Sequence, residues 1–146
     1  MDESINLLAK IKQEFACEDV DIRTYSPLTL AFLGDCVYDI IIRTVVVERG
    51  NRAPQGLHKK KSYLVNAKAQ KELVESIQDL LTFEEEDIYR RGRNAKSYST
   101  AKNASIGDYR KATGFEALLG YLYLNDQMDR VLYLVKEGLN RIGAKI

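Results

Sequence analysis

The sequence predicts an all-α protein, on three observations. Apolar residues recur at intervals of three and four along most of the 146-residue chain, which is the period of an amphipathic helix. No segment alternates apolar and polar residues strictly enough to predict a half-buried strand. Two helix starts can also be read directly, a Ser26-Pro27 pair and a capping box from Thr82 to Glu85.

Size and composition predict a single domain over residues 1–146, long enough to bury a core. The longest apolar run, 37–47, is interrupted by Asp39 and Arg43 and is too short to cross a membrane. The first fifteen residues do not have the pattern of a signal peptide. Two cysteines make neither a disulfide framework nor a zinc pattern, and we expect Cys36 to pack as a small hydrophobe. A cytoplasmic protein without a membrane partner is therefore expected.

The longest apolar segment, residues 26–50, predicts a helix buried almost all round. Ser26 is the expected cap, and Gly50 is expected to end the helix in the left-handed conformation. Three polar side chains interrupt the apolar surface at intervals of four, so they share one stripe of the helix: Asp35, Asp39 and Arg43. We expect Asp39 and Arg43 to form an ion pair. Asp35 is then the residue in need of an explanation, because a buried carboxylate must be paired or hold a cation.

The remaining segments predict five further helices, four of them with a start or stop signal. They span residues 5–15 with Asp2 or Ser4 as cap, 58–81, 83–92 with Thr82 as cap, 109–125 with Asp108 as cap, and 128–142 with Gly143 at the end.

Basic residues form two clusters, although the formal net charge is only +1. One cluster lies at the expected start of a helix, where positive charge opposes the macrodipole, and the other in a polar loop expected over residues 91–102. Both would suit phosphate and sugar contacts, and a solvated charged surface is the alternative interpretation. The candidate RNA-binding residues are His58, Lys59, Lys60, Lys61, Arg91, Arg93, Asn94, Lys96 and Lys102.

A second acidic residue, Glu116, lies in a helix that carries glycine and other small residues. Interior glycines predict close approach to another helix, so Glu116 would lie at a tight crossing. A buried ion pair is the structural alternative. If Asp35 and Glu116 meet there, two carboxylates would suit Mg²⁺, which takes oxygen ligands and keeps several waters. Such a cation could activate water and neutralise charge on a phosphodiester, so metal-assisted phosphodiester hydrolysis is plausible from spacing alone.

Two motifs carry a family resemblance. Residues 30–37, LAFLGDCV, resemble the signature helix of ribonuclease III, and residues 115–120, FEALLG, resemble its second acidic motif. The order and separation of the motifs also fit. With no room for a double-stranded-RNA-binding domain, and with the basic segment at 91–97, the chain is similar to the bacterial branch that consists of the catalytic domain alone, Mini-ribonuclease III.

The resemblance implies a homodimeric ribonuclease III-type helical bundle that cleaves double-stranded RNA with Mg²⁺, for which Mn²⁺ can substitute. It implies trimming of the large-subunit ribosomal RNA precursor as the role. Asp35 and Glu116 match catalytic, metal-binding acids of the family. Two other family acids are replaced here, by Ala31 and Thr113, so the metal would have fewer direct protein ligands.

Three alternatives remain open at this point. The chain could be a non-catalytic module that binds duplex RNA or assists ribosome assembly. It could be a purely structural helical dimer, or a different metal-dependent phosphohydrolase that acts on nucleotides.

Overall fold

In the computed structural model, the residues described are 6–96 and 105–146, and they contain helices and no strand. The predicted all-α class is confirmed. The helices are α1 (Leu7–Glu14), α2 (Pro27–Glu48), α3 (Pro54–Val65), α4 (Ala67–Ser76), α5 (Phe83–Asn94), α6 (Ile106–Leu124) and α7 (Met128–Arg141), with short 3-10 helices at Ile22–Thr24 and Gln78–Leu80. Lys102, one of the candidate RNA-binding residues, lies outside the described ranges.

Helix α6 lies at the centre of the fold, because α2, α4, α5 and α7 all pack against it. Residues 112–122 of α6 are buried apart from Glu116, which is partly exposed. Next to Glu116, the ring of Phe115 is fully buried and meets Tyr38 of α2 edge to face, with 5.5 Å between centroids. The core therefore surrounds the helix that carries the second acidic motif.

Two of the predicted caps are confirmed and others are corrected. The Ser26 hydroxyl accepts a hydrogen bond from the Thr29 amide at 3.2 Å, and the Thr82–Glu85 capping box is complete. Helix α6 begins three residues earlier than expected, with Ser105 rather than Asp108 as its cap. Asn6 caps α1, whereas Asp2 and Ser4 lie outside the described residues. The left-handed conformation expected at Gly50 is absent, and Gly143, after α7, has it instead (φ +69°).

The predicted helix over residues 58–81 is in fact two helices, α3 and α4, separated by Asn66. The backbone of Asn66 is extended, and its side-chain oxygen accepts from the Ala69 amide at 2.8 Å, so this residue ends one helix and caps the next. Helix α3 also begins at Pro54, so the lysines at 59–61 lie in its second turn and not at its N-terminus. The prediction of an unfavourable charge at a helix start was therefore wrong.

Helix α5 extends beyond Gly92 to Asn94. Arg91, Arg93 and Asn94 are thus held on a helix, and of the described residues in the expected loop only Ala95 and Lys96 lie beyond it.

Helix α2 has an apolar face that no described residue covers. Its buried side chains include Tyr38 and Ile42, but Phe32 is 83% exposed, Ile40 58% and Val47 55%. Cys36 is exposed as well, so its predicted packing was wrong, and both cysteines are free thiols. In the described part of the chain, no helix is both long enough and apolar enough to span a membrane.

Candidate active site

The site is built where α2 and α6 cross at backbone contact. A Cβ atom on Gly34 would lie 1.7 Å from the Glu116 carbonyl oxygen, and one on Gly120 would lie 2.0 Å from the Leu30 carbonyl oxygen. Only glycine fits at either position, because real Cβ atoms do not approach other atoms so closely. The tight crossing predicted from the small residues of α6 is confirmed, and it brings Asp35, next to Gly34, beside Glu116.

Asp35 and Glu116 form a carboxyl pair in which one member is exposed and the other largely buried. The pKa of Glu116 is raised to about 8, mainly by burial and in addition by a hydrogen bond with Asp35 and by the negative charge of that residue. Without a cation, Glu116 therefore keeps its proton near neutral pH and shares it with Asp35. A divalent cation would take the place of that proton.

A third polar side chain, Gln70 of α4, completes the site. It is 3% exposed, and its Nε2 donates to the Val65 carbonyl at 2.8 Å and lies 3.5 Å from Glu116 Oε2. Its Oε1 is buried without a partner among the described residues. No function was predicted for Gln70 from the sequence. An uncharged polar residue among Leu73 and Val74 was the signal that could have found it.

Ala31 and Thr113, the two positions that the resemblance matches to further family acids, are buried and carry no carboxylate to offer a cation. Ala31 is 7% exposed, and Thr113 is 8% exposed, with its hydroxyl donating to the Tyr109 carbonyl of its own helix at 2.9 Å. No group of three or more His, Cys, Asp or Glu side chains in the ranges 6–96 and 105–146 is arranged to hold a metal. Two carboxylates with an orphaned amide oxygen nevertheless fit a hard cation that keeps most of its water, as Mg²⁺ does.

Asp39 is not part of this site. Its carboxylate lies 2.7 Å from Arg43 Nε, as predicted, and 3.8 Å from Lys61 Nζ. The Lys61 side chain is only 16% exposed. The structure therefore turns this candidate RNA-binding residue toward an acid on α2.

The other basic candidates in the described ranges lie on the last turns of α5, on Lys96 just after it, and on α3. The last turns of α5 pack against α6 beside Glu116, where a Cβ on Gly92 would lie 2.8 Å from Ala117 Cβ. Arg91, Asn94 and Lys96 are exposed there, and the Arg93 guanidinium lies 5.8 Å from the centre of the Tyr89 ring. Helix α3 carries exposed His58 and Lys59 and partly buried Lys60, and His58 lies near Arg43 and Val47 toward the end of α2.

Comparison with known proteins agrees with this geometry. Residues 28–127 match the family model of the ribonuclease III domain. A Mini-ribonuclease 3 of Thermoanaerobacter is 53% identical over 110 residues, which cover 75% of this chain and 78% of that protein. A Mini-ribonuclease 3 of Enterococcus faecalis is 43% identical, covering 84% of this chain and 95% of that protein. The crystal structure of a Fusobacterium nucleatum protein superposes with a TM-score of 0.74 at 31% identity, covering 84% of this chain and 98% of that one.

The matched region contains both acidic motifs and the crossing that joins them. Proteins of this family act on double-stranded RNA and depend in general on divalent metals. The chain therefore belongs to the ribonuclease III family, in its Mini-ribonuclease 3 branch, and is an endoribonuclease.

Proposed function

We propose that the protein uses Mg²⁺, with Mn²⁺ as a substitute, to cleave double-stranded RNA during maturation of the 23S ribosomal RNA precursor in the cytoplasm. The observation that carries this proposal is the contact between Asp35 and Glu116 across the glycine crossing. The identity of the cation is supported by the donor set, which consists of oxygen atoms alone. The ribosomal substrate is supported by the resemblance of the two motifs to those of Mini-ribonuclease III.

Asp35 and Glu116 are the proposed catalytic residues, and both would hold the cation. Bound there, the metal supplies an activated water and neutralises charge on the phosphodiester. Glu116 gives up its proton when the cation binds, since burial favours the neutral carboxyl only while no positive charge is near. Asp35 is exposed, so it would hold the cation at the surface of the protein, where a duplex could reach it.

The basic residues of α3 and α5 would bind the RNA backbone. Duplex RNA offers phosphates and 2′-hydroxyl groups in a shallow minor groove, with little sequence to read. Arg91, Asn94 and Lys96 from α5, with His58 and Lys59 from α3, are exposed and suited to such contacts. Arg93 and Lys60 are partly buried members of the proposed set. Lys61, which lies beside Asp39, and Lys102, which lies outside the described residues, also belong to it.

A homodimer is part of the proposal, supported by the uncovered apolar face of α2. Phe32, Ile40 and Val47 are exposed along one helix, and an apolar groove of about 390 Å³ adjoins Ile40, an arrangement typical of a protein interface. Phe32→Asp should therefore shift the protein to monomer in analytical ultracentrifugation. Phe83→Asp is the matched control, because Phe83 is 95% exposed at the start of α5 and should leave the mass unchanged. An unchanged mass for both variants would remove the dimer from the proposal.

Cleavage of a perfect RNA duplex, compared with single-stranded RNA, in Mg²⁺ and in EDTA tests the activity directly. Asp35→Asn should abolish cleavage and leave duplex binding in place, since it removes a charge with little change of shape. Retained cleavage in this variant would contradict the assignment of Asp35. A wild-type protein that binds duplex RNA and never cleaves it would instead favour the non-catalytic binding module.

A further inference from the structure

Gln70 is a buried amide beside the acidic pair, and its carbonyl oxygen lacks a hydrogen-bond donor among the described residues. The side chain is 3% exposed, so bulk water does not reach Oε1. Buried polar atoms without a partner are rare in native proteins, and each one calls for an explanation such as a bound water, an ion or a functional role. The position of this one, next to Glu116, points to the catalytic centre.

The orientation of the amide is fixed by the end of α3. The last carbonyls of that helix are all satisfied by side chains: Asn66 donates to the Ser62 and Tyr63 carbonyls, Tyr38 to that of Leu64, and Gln70 to that of Val65. Turning the amide over would set Oε1 against the Val65 carbonyl, acceptor against acceptor. Nε2 therefore stays on Val65 and near Glu116, and Oε1 remains the free acceptor.

A free acceptor at this position could receive a hydrogen bond from a water molecule of a cation held by Asp35 and Glu116. Because Ala31 and Thr113 contribute no carboxylate, a cation held by Asp35 and Glu116 keeps much of its hydration shell. Each metal-bound water is a hydrogen-bond donor and needs an acceptor close to the carboxylates. Oε1 of Gln70 belongs to the same amide as the nitrogen 3.5 Å from Glu116 Oε2, so it is near enough to serve.

We propose that Gln70 is a positioning residue of the metal centre: Nε2 orients the Glu116 carboxylate, and Oε1 accepts a hydrogen bond from a water of the bound divalent cation. The inference rests on the proposed metal-dependent function. The structural alternative is that Gln70 only caps α3 by bonding the Val65 carbonyl. The two differ in what happens to metal affinity when the amide is removed.

The test is calorimetric titration of metal-free protein with Mn²⁺ and with Mg²⁺, in the absence of RNA. Gln70→Met keeps the length of the side chain and removes both hydrogen-bonding atoms, so the dissociation constant should rise about tenfold or more. Gln78→Met is the matched control, since Gln78 also donates its amide to a backbone carbonyl, that of Val74 at 3.0 Å, at the other end of α4. Its dissociation constant should stay within about twofold of wild type.

Two further measurements decide the case if Gln70→Met folds poorly. In the wild-type protein, the side-chain NH₂ signals of Gln70 should shift in NMR spectra when Mg²⁺ is added, and those of Gln78 should not. Gln70→Glu keeps an acceptor oxygen, so it should bind metal at least as well as wild type while being less stable without metal.

The proposal is overturned if Gln70→Met binds metal like wild type, if Gln70→Glu binds as poorly as Gln70→Met, or if the Gln70 amide signals ignore Mg²⁺. A wild-type protein that neither binds the cation nor cleaves duplex RNA removes the proposed function as well. A wild type that does both, beside an unaffected Gln70→Met, removes only the role of Gln70.

Discussion

Replacing Glu116 by glutamine should stabilise the metal-free protein, and increasingly so as the pH rises. The folded state holds the pKa of Glu116 at about 8, against an ordinary value of 4.5. A carboxyl whose pKa is raised by folding leaves stability intact below its unfolded pKa and reduces it as the pH climbs toward the folded pKa. The native protein should therefore lose stability between about pH 4.5 and pH 8 on account of this one group.

The size of the effect follows from the shift in pKa. One pKa unit corresponds to about 1.4 kcal/mol, so the full shift would cost up to about 5 kcal/mol at pH 8. Local relaxation and water entry reduce this cost. We therefore expect the free energy of unfolding of Glu116→Gln to exceed that of wild type by at least about 2 kcal/mol at pH 8 and by almost nothing at pH 4.5.

Urea unfolding, followed by circular dichroism at fixed protein concentration in EDTA, measures this difference at several pH values. Glu72→Gln is the control, since it makes the same substitution at an exposed carboxyl on the neighbouring α4. Adding Mg²⁺ should close the gap, because the cation stabilises only a folded protein with an intact site. A difference between Glu116→Gln and wild type that does not change between pH 5 and pH 8 would refute the account of a buried, protonated Glu116.

Three other predictions test the fold and the binding surface. Gly120→Ala should destabilise the protein by about 3 kcal/mol or more in thermal unfolding, because its Cβ would lie 2.0 Å from a backbone oxygen. Gly107→Ala, on the same helix and with no atom nearer than 4.0 Å to its Cβ, should be neutral or slightly stabilising. Arg130→Met should cost about 3–5 kcal/mol at pH 7 by leaving buried Glu85 unpaired, and the cost should shrink in acid as Glu85 is protonated. Arg91→Gln should lower the slope of log affinity for duplex RNA against log salt concentration by about 1, measured by fluorescence anisotropy.

The acidic pair could be predicted from the sequence because both of its causes are local patterns. Asp35 interrupts an apolar helix, and Glu116 lies among glycines that only a close helix crossing explains. The structure adds the contact itself, which depends on how α2 and α6 meet and so cannot be read from either helix alone.

The break between α3 and α4 escaped prediction because it is decided by competition between hydrogen bonds. Apolar spacing continues through residues 58–81, but the side chain of Asn66 bonds the backbone on both sides of itself and so replaces a helical turn.

The proposed role of Gln70 could not be predicted from the sequence, because it depends on contacts that the fold creates. Its neighbours at the site, the Val65 carbonyl and Glu116, are brought to it by that break and by a helix 46 residues away.

The exposed face of α2 shows a different limit. Apolar composition all round the helix indicated burial, and the described residues cover only one side. The apolar side chains of Phe32 and Ile40 indicate that these residues favour burial. The sequence does not show whether they would be buried within the same chain or against another copy of it.

The crossing at Gly34 and Gly120 makes the spacing of the two proposed catalytic acids a property of the main chain. Two backbones in direct contact cannot approach further, and no side chain lies between them to be enlarged or trimmed. Substitutions in the surrounding core should therefore change how stable the protein is without changing which cation fits between Asp35 and Glu116. To adapt the proposed metal centre to a larger ion, such as Ca²⁺, the distance between α2 and α6 would have to be increased by a substitution at Gly34 or Gly120.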